Sequence, residues 1–130
     1  MQKVLLLSAI ILLSQPVFAD DTTTTETCAN GAGRVITGVV SGHKYCRSNN
    51  TMDWWNAHTW CDGLGSRLFS MNDCEHSSTN TLCNELAGVG GNENVWTAMP
   101  KGTSLAYNVN LSSGYIGSSL RGNHRCAVCY

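Results

Sequence analysis

The sequence contains few charged residues and no basic cluster. Charged residues make up 13% of the chain. Without Lys3, which lies in a predicted leader described below, seven basic residues face nine acidic ones, a net charge of 7 − 9 = −2 with histidine neutral. Nucleic acids and anionic membranes attract clusters of lysine and arginine. We therefore predict neither as a partner.

Long apolar runs are also missing after residue 19. A helix that spans the roughly 30 Å core of a bilayer needs about 20 mostly apolar residues. The one apolar run, Val4 to Leu13, has about half that length, follows Lys3 and precedes the small residue Ala19. This pattern is typical of a secretory signal peptide over residues 1–19. We expect an exported chain without a membrane span, extracellular or periplasmic, that begins at Asp20.

Catalytic and metal motifs are absent as well. No serine, threonine or cysteine lies in a nucleophile elbow, and the histidines share no metal-ligand spacing. Cys126 and Cys129 form a C-x-x-C pair near His124, which leaves zinc binding or redox chemistry open. The pair lies on a predicted strand, without the second knuckle of a zinc site or the helix start of a redox site. We predict no catalytic residue, no metal site and no cofactor.

Cysteine is abundant by contrast, and all seven residues follow the predicted leader. An exported chain keeps disulfides, so three pairs and one remaining thiol are expected. Residues 20–27 are threonine-rich with no apolar side chain, which predicts a disordered spacer. Residues 28–130 then form one domain, since about 110 residues are too few for two. The cysteines are Cys28, Cys46, Cys61, Cys74, Cys83, Cys126 and Cys129.

Hydrophobic patterns predict a hairpin and a helix in the first half of the domain. Residues 34–40 and 43–46 read as two strands around a Ser-Gly turn, which a Cys28–Cys46 disulfide would staple. Apolar residues at helical spacing predict a helix over 51–64 that begins after Asn50 and stops at Gly65. Trp54, Trp55 and Trp60 lie on this helix, and we expect at least two of them in the core rather than on a stacking platform.

Short strands and loops are predicted after the helix. Residues 67–71 read as a strand, and residues 72–94 as a long loop in which a Cys74–Cys83 disulfide would close a nine-residue ring. Four short strands follow, with an alternating pattern in the second of them. These strands are 95–98, 105–111, 115–117 and 124–130.

Two resemblances cover most of residues 43–130. Residues 54–68 read W-x-x-A-x-x-x-C-x-x-x-G-x-x-L, which resembles the first helix of C-type-lectin-like domains. The second half resembles the C-terminal repeats of bacterial surface proteins that share the formylglycine-generating-enzyme and lectin-like fold. The matching residues of that half are Trp96, Thr97, Tyr107, Val109, Asn110, Ser113, Gly114 and Arg125.

These resemblances imply an α+β, C-type-lectin-like fold, with one main helix packed on short antiparallel strands and long disulfide-tethered loops. They also imply a disulfide between Cys61 and Cys129, the family position near the chain end. Cys126 would then be a free thiol. An unpaired thiol in an exported protein often pairs between chains, so a disulfide-linked dimer through Cys126 is a candidate assembly.

The function implied by the resemblances is a secreted, non-enzymatic binding or adhesion module. Calcium-dependent sugar binding in the lectin family needs Glu-Pro-Asn or Gln-Pro-Asp and Trp-Asn-Asp motifs, which this chain lacks, so we expect calcium-independent binding of an extracellular glycan or protein. The expected contact residues are Asn92, Glu93, Asn94 and Trp96, in the glycine- and asparagine-rich loop region. One alternative is a structural or appendage-associated subunit. Another is a truncated relative of formylglycine-generating enzymes, which use a cysteine pair to bind copper.

Overall fold

A computed structural model describes residues 25–74 and 81–130. Within these residues the chain forms one α-helix, α1 (Trp54–Gly63), and seven strands in a single sheet. Short 3₁₀ turns follow β1, precede Cys74 and follow Cys83. The strands are β1 (Thr27–Cys28), β2 (Gly33–Thr37), β3 (Lys44–Met52), β4 (Asn94–Lys101), β5 (Leu105–Asn110), β6 (Ile116–Leu120) and β7 (Arg125–Cys129).

The last strand lies in the middle of the sheet. The strand order is β1-β2-β3-β7-β4-β5-β6. Neighbouring strands are antiparallel except β4 and β7, which pair in parallel with Val95 opposite Cys126. The C-terminal strand β7 therefore joins the β1–β3 sheet half to the β4–β6 half.

The predicted α+β lectin-like layout is wrong. The structure is mostly β, with one continuous mixed sheet of seven strands rather than short antiparallel strands under a main helix. β3 extends over nine residues and β4 over eight, whereas α1 has only ten residues and buries just Ala57 and Cys61. The helical pattern of residues 54–68 correctly predicted a short helix. The resemblance wrongly implied that this helix is the main element of the fold.

The helix begins three residues later than predicted. Residues 50–52 continue β3, which places Asp53 rather than Asn50 at the N-cap. The Asp53 carboxylate accepts a hydrogen bond from the backbone N–H of Asn56 at 2.8 Å, so it satisfies an N–H group of the first turn. Gly65 has a φ of +73°, the left-handed conformation that follows many helix ends and that glycine adopts without strain.

Both faces of the sheet are covered. α1 packs on one face, where Trp96 and Ala127 lie in the core and Trp54 and Trp60 pack partly buried beside them. Trp55 points outward and is 55% exposed, in agreement with the expectation that at least two of the three helix tryptophans pack inside. The segments between α1 and β4 cover the other face. Buried residues there are Ile36, Tyr45, Phe69, Cys74, Cys83, Leu86, Val95, Val109, Leu111, Cys126 and Val128.

Three disulfides join the pairs expected from the sequence. Cys28 is bonded to Cys46, Cys61 to Cys129 and Cys74 to Cys83. The first links the short edge strand β1 to β3, and the second links α1 to the central strand β7. The third ties down the segment that leads to the loop before β4.

The predicted strand over residues 67–71 is reduced to a single bridge. Leu68 pairs with Cys129, and the Phe69 N–H donates to the Val128 carbonyl at 2.7 Å. Residues 71–73 then turn into a 3₁₀ helix, because the Ser70 side chain and the Asp73 carboxylate form a capping box that ends the extended segment.

The start of the chain lies partly outside the described residues. The predicted signal peptide over residues 1–19 and residues 20–24 of the predicted spacer belong to that part, as do residues 75–80 of the predicted long loop. The sheet includes the end of the predicted spacer, since Thr27 pairs with Arg34 and the Glu26 carbonyl accepts from the Val35 N–H. Within residues 25–74 and 81–130, no helix has the length and apolar character to cross a membrane.

Candidate functional site

The loop before β4 is folded around a buried leucine. Leu111, at the end of β5, is fully buried, and its carbonyl accepts hydrogen bonds from the N–H groups of Gly88 and Val89 at 2.9 and 3.0 Å. Its own N–H donates to the Glu93 carbonyl at 2.9 Å. The loop that the sequence predicted as a binding surface is therefore anchored on the sheet, so its side chains are presented from a fixed backbone.

Three asparagines meet on the exposed side of this loop. The Asn110 side-chain amide donates to the Asn92 Oδ1 at 3.0 Å and to the Asn94 Oδ1 at 3.2 Å. The Asn110 Oδ1 accepts in turn from the N–H groups of Ser112 and Ser113, both at 3.0 Å. We call Asn92, Asn94 and Asn110 the asparagine cluster. Among the described residues, the amide NH₂ groups of Asn92 and Asn94 have no acceptor and only their oxygens are bonded, so these donors are available to a ligand.

Asn110 was missed as a site residue by the sequence reasoning. It stands at the end of a strand, directly before the Ser112-Ser113-Gly114 turn, and its oxygen bonds two residues ahead as in an Asx-turn. That position signals a turn, but it does not indicate that the other end of the amide reaches a separate loop 16 to 18 residues away.

Glu93 faces the opposite direction from its asparagine neighbours. Its Oε1 lies 3.3 Å from the Arg47 Nη2, and the Arg47 side chain is only 9% exposed against 43% for Glu93. Arg34, in β2, lies directly opposite Arg47 in β3. The structure thus brings two arginines to the predicted loop, and neither was a candidate from the sequence.

Trp96 does not belong to the surface. Its side chain is fully buried in the helix-side core, and its indole N–H donates to the Met52 carbonyl at 2.9 Å. The predicted role of Trp96 in ligand contact is therefore corrected to a role in the core. Strand β4 has three consecutive buried residues, Val95 to Thr97, so both of its faces are covered there and no side chain is free for a ligand.

A second polar centre surrounds the buried carboxylate of Glu85. This residue is 2% exposed and accepts hydrogen bonds from the N–H groups of Val40 and Ser41, both at 3.0 Å, and from the Tyr45 hydroxyl at 2.7 Å. The Ser41 hydroxyl also donates to it. Burial alone would raise the pKa of Glu85, but these donors outweigh burial and hold the pKa below its ordinary value. A carboxylate with all its partners in place is structural rather than reactive.

An aromatic and charged cluster extends from this centre to the chain end. The Tyr130 ring stacks on His43 at 4.0 Å between centroids, and the Arg67 guanidinium lies 4.0 Å from the Tyr130 centroid. Arg67 also donates twice to Asp73, at 2.8 and 2.9 Å. Burial opposes ionisation of Asp73, yet these bonds and the N–H of Ser70 hold the pKa of Asp73 below its ordinary value. These groups contact and hydrogen-bond one another, so we interpret them as structural links between segments.

His58 packs against another side chain of its own helix, α1. Its Nε2 is buried without a hydrogen-bond partner, and the ring packs edge-on against Trp54 at 4.6 Å between centroids. Burial lowers the pKa of His58, while the nearby Asp62 acts in the opposite direction. The neutral form is favoured, as expected for a histidine that packs against an aromatic ring.

The thiol of Cys126 is buried and 4% exposed. Its neighbour in the C-x-x-C motif, Cys129, is bonded to Cys61, so the two cysteines do not form a free dithiol. A buried thiol cannot reach a second chain, and the disulfide-linked dimer through Cys126 receives no support from the structure. In the described part of the chain, no three His, Cys, Asp or Glu side chains are grouped as metal ligands.

This burial predicts an unreactive thiol. We expect native protein to resist alkylation of Cys126 and to run as a monomer on a non-reducing gel, because reaction requires an exposed thiolate. In denaturant, one thiol per chain should react. Mass spectrometry after alkylation with and without urea measures both states, and fast labelling in the native state would contradict the burial of Cys126.

The chain matches no protein-family model and no curated protein sequence.

Proposed function

We propose that this protein is an exported, non-enzymatic binding module whose ligand contacts the asparagine cluster. Three disulfides support export, because such bonds persist in oxidising compartments. The loop that carries Asn92 and Asn94 is anchored on a sheet whose two faces are packed. Binding residues are often presented in this way, on a loop held by a rigid scaffold.

The observation that carries this proposal is the bonding of the asparagine cluster. Asn110 holds the oxygens of Asn92 and Asn94 while their NH₂ groups stay exposed, so two amide donors are presented at a defined separation. Preorganised donors lose less conformational entropy on binding than mobile ones. Amide groups of this kind bind sugar hydroxyls and peptide carbonyls, so a glycan is a suitable first probe.

A free thiol that cross-links chains would favour the alternative of an appendage subunit. Cys126 is buried and is not placed to form such a cross-link. The alternative of a truncated copper enzyme depends on Cys126 and Cys129 acting as a pair, and Cys129 is engaged with Cys61.

A glycan array with the full exported protein tests the proposal. We expect the double variant Asn92→Ala/Asn94→Ala to lower the affinity for the strongest saccharide by about tenfold, since each lost hydrogen bond contributes about 0.5 to 1.5 kcal/mol. Glu93 is left unchanged here because its removal would leave the buried Arg47 without its ion-pair partner. Calorimetry measures the affinity of each variant.

The matched control is Asn50→Ala/Asn123→Ala, which removes two exposed asparagines elsewhere on the molecule. It should bind like the unmodified protein. An equal loss in the control and in the cluster variant would show that the loop is not the site. Trp55 lies on the exposed side of α1. If Trp55→Ser abolishes binding and the cluster variant does not, the binding site lies on the helix.

A further inference from the structure

Two arginines lie side by side beneath the loop that carries Asn92 and Asn94, the asparagine loop, and neither has a hydrogen-bond acceptor among the described residues. Arg34 and Arg47 are partners in the β2–β3 register, so their side chains emerge on one face with Cβ atoms about 5 Å apart. Both Nε atoms are buried and unpartnered. Neither guanidinium donates a hydrogen bond to any residue in the ranges 25–74 and 81–130. Like charges directly opposite on a sheet repel each other.

The positive charge of this pair is only half neutralised. The Glu93 Oε1 lies 3.3 Å from the Arg47 Nη2 but forms no hydrogen bond, and this oxygen is itself buried without a partner. One carboxylate beside two guanidinium groups leaves a net charge of +1. A buried charge without hydrogen bonds is costly, and an arginine that is nine-tenths buried needs an acceptor to offset that cost.

Glycines leave room around these groups. A Cβ at Gly90 would lie 3.4 Å from the Arg34 Nη2 and 3.1 Å from the Leu111 side chain, and a Cβ at Gly91 would lie 3.0 Å from the Glu93 Oε2. The loop therefore passes close to the Arg34 guanidinium, and side chains at positions 90 and 91 would crowd the space between the loop and the charged groups.

We propose that Arg34 and Arg47 bind an acidic group of the ligand, a sulfate or carboxylate carried by a saccharide, and that Glu93 occupies this position in the unliganded protein. The planar guanidinium fork matches both oxyanions and binds them in bidentate fashion. Glu93 faces away from Asn92 and Asn94. A saccharide that passes over the edge of the loop would therefore bring its hydroxyls to the asparagine cluster while its acidic group replaces Glu93. This inference rests on the proposed function, since it names the ligand chemistry of that site.

If the ligand displaces Glu93, two substitutions should change the affinity for the acidic saccharide in opposite directions. Arg34→Gln removes an acceptor-free cation and should weaken binding of the acidic saccharide at least about tenfold. Glu93→Gln removes the competing carboxylate and should strengthen that binding severalfold. Lys101→Gln is the charge-matched control, because it deletes one positive charge from an exposed residue on another part of the surface.

The probes are a sulfated hexuronate tetrasaccharide, its desulfated and carboxyl-reduced counterpart, and inorganic sulfate, all at one ionic strength. We expect the acidic saccharide to bind and the other two probes not to bind. Its affinity should be unchanged in Lys101→Gln. Its binding should shift the Arg34 and Arg47 Nε–H resonances in NMR spectra. Thermal melts show whether each variant is folded. Since Arg34 has no hydrogen-bonded partner within residues 25–74 and 81–130, Arg34→Gln should fold even if Glu93→Gln does not.

The remaining outcomes separate the two proposals. Equal binding of inorganic sulfate would assign the pair to free anions and overturn the saccharide assignment. Binding of the neutral counterpart that depends on Asn92 and Asn94 but not on Arg34 would overturn this inference and leave the binding module intact. If neither saccharide binds and the arginine resonances do not shift, this inference fails, and the glycan array with Asn92→Ala/Asn94→Ala decides separately on the binding module.

Discussion

Replacing Glu85 with alanine should destabilise the domain by about 4 kcal/mol or more. The substitution removes the charged acceptor of four donors near position 85, and hydrogen bonds to charged groups contribute about 1.5 to 3 kcal/mol each. The donors are the N–H groups of Val40 and Ser41 and the hydroxyls of Ser41 and Tyr45. A domain of this size has only about 5 to 15 kcal/mol of stability, so the loss is a large share of the total.

Urea unfolding of Glu85→Ala and Glu26→Ala provides the comparison. Glu26 undergoes the same chemical change but forms an exposed ion pair with Lys44, at 3.3 Å with both side chains more than 60% exposed. Its removal should cost less than about 1 kcal/mol. Similar midpoints for the two variants would show that the Glu85 carboxylate is not an organising group of the fold.

The pH dependence of unfolding gives a second test that does not need a folded alanine variant. The pKa of Glu85 is lower in the folded chain than in the unfolded chain, so its ionised form stabilises the fold above the unfolded pKa, near 4.5. That contribution is lost as the pH falls from about 4.5 towards the folded pKa. In Glu85→Gln this part of the acid dependence should be missing, whereas an unchanged acid profile would contradict the role of Glu85.

Glu85 also illustrates what the sequence could not predict. It lies between Asn84 and Leu86 in a loop that reads as polar and exposed, and its four donors are 40 to 45 residues earlier in the chain. Nor does the sequence explain why position 38 is glycine. A Cβ at Gly38 would overlap the Glu85 carboxyl group, so both residues depend on one tertiary contact.

Elements with a local signal were predicted better. The alternation of Tyr107, Val109 and their neighbours indicated β5 with nearly the observed bounds. The start of the helix was placed wrongly because Asn50 and Asp53 are both good N-cap residues, and the extension of β3 to Met52 decides between them. That extension depends on the pairing of Thr51 with Cys126 and of Met52 with Arg125, residues 75 and 73 positions apart, which no local pattern encodes.

The candidate site was predicted in part. Composition identified the loop around Asn92 and Asn94, since glycine and asparagine favour exposed turns. It could not show that Trp96 turns inward or that Arg47 lies beneath Glu93, because an arginine on a strand is usually exposed. Burial of Arg47 follows from the position of β3 between β2 and β7, which is a property of the sheet order.

Loss of the Cys61–Cys129 disulfide should be the most costly loss of a cross-link. This bond closes 68 residues and joins α1 to the central strand β7, and both cysteines are fully or almost fully buried. The chain-entropy model, whose mechanism is disputed, gives a stabilisation of roughly 4 kcal/mol for a ring of that length. The Cys74–Cys83 disulfide closes only nine residues, for which the same model gives between about 2 and 3 kcal/mol.

The double variants Cys61→Ala/Cys129→Ala and Cys74→Ala/Cys83→Ala therefore form a matched pair, each with two sulfurs and one bond removed. We expect the first to unfold at the lower urea concentration and with the larger increase in the denaturant slope, because its unfolded chain becomes the more extended one. A larger loss in the second variant would mean that anchoring of the segment before the asparagine loop, rather than ring length, decides the stability of this sheet. In that case the loop that carries Asn92 and Asn94 and the core would unfold together.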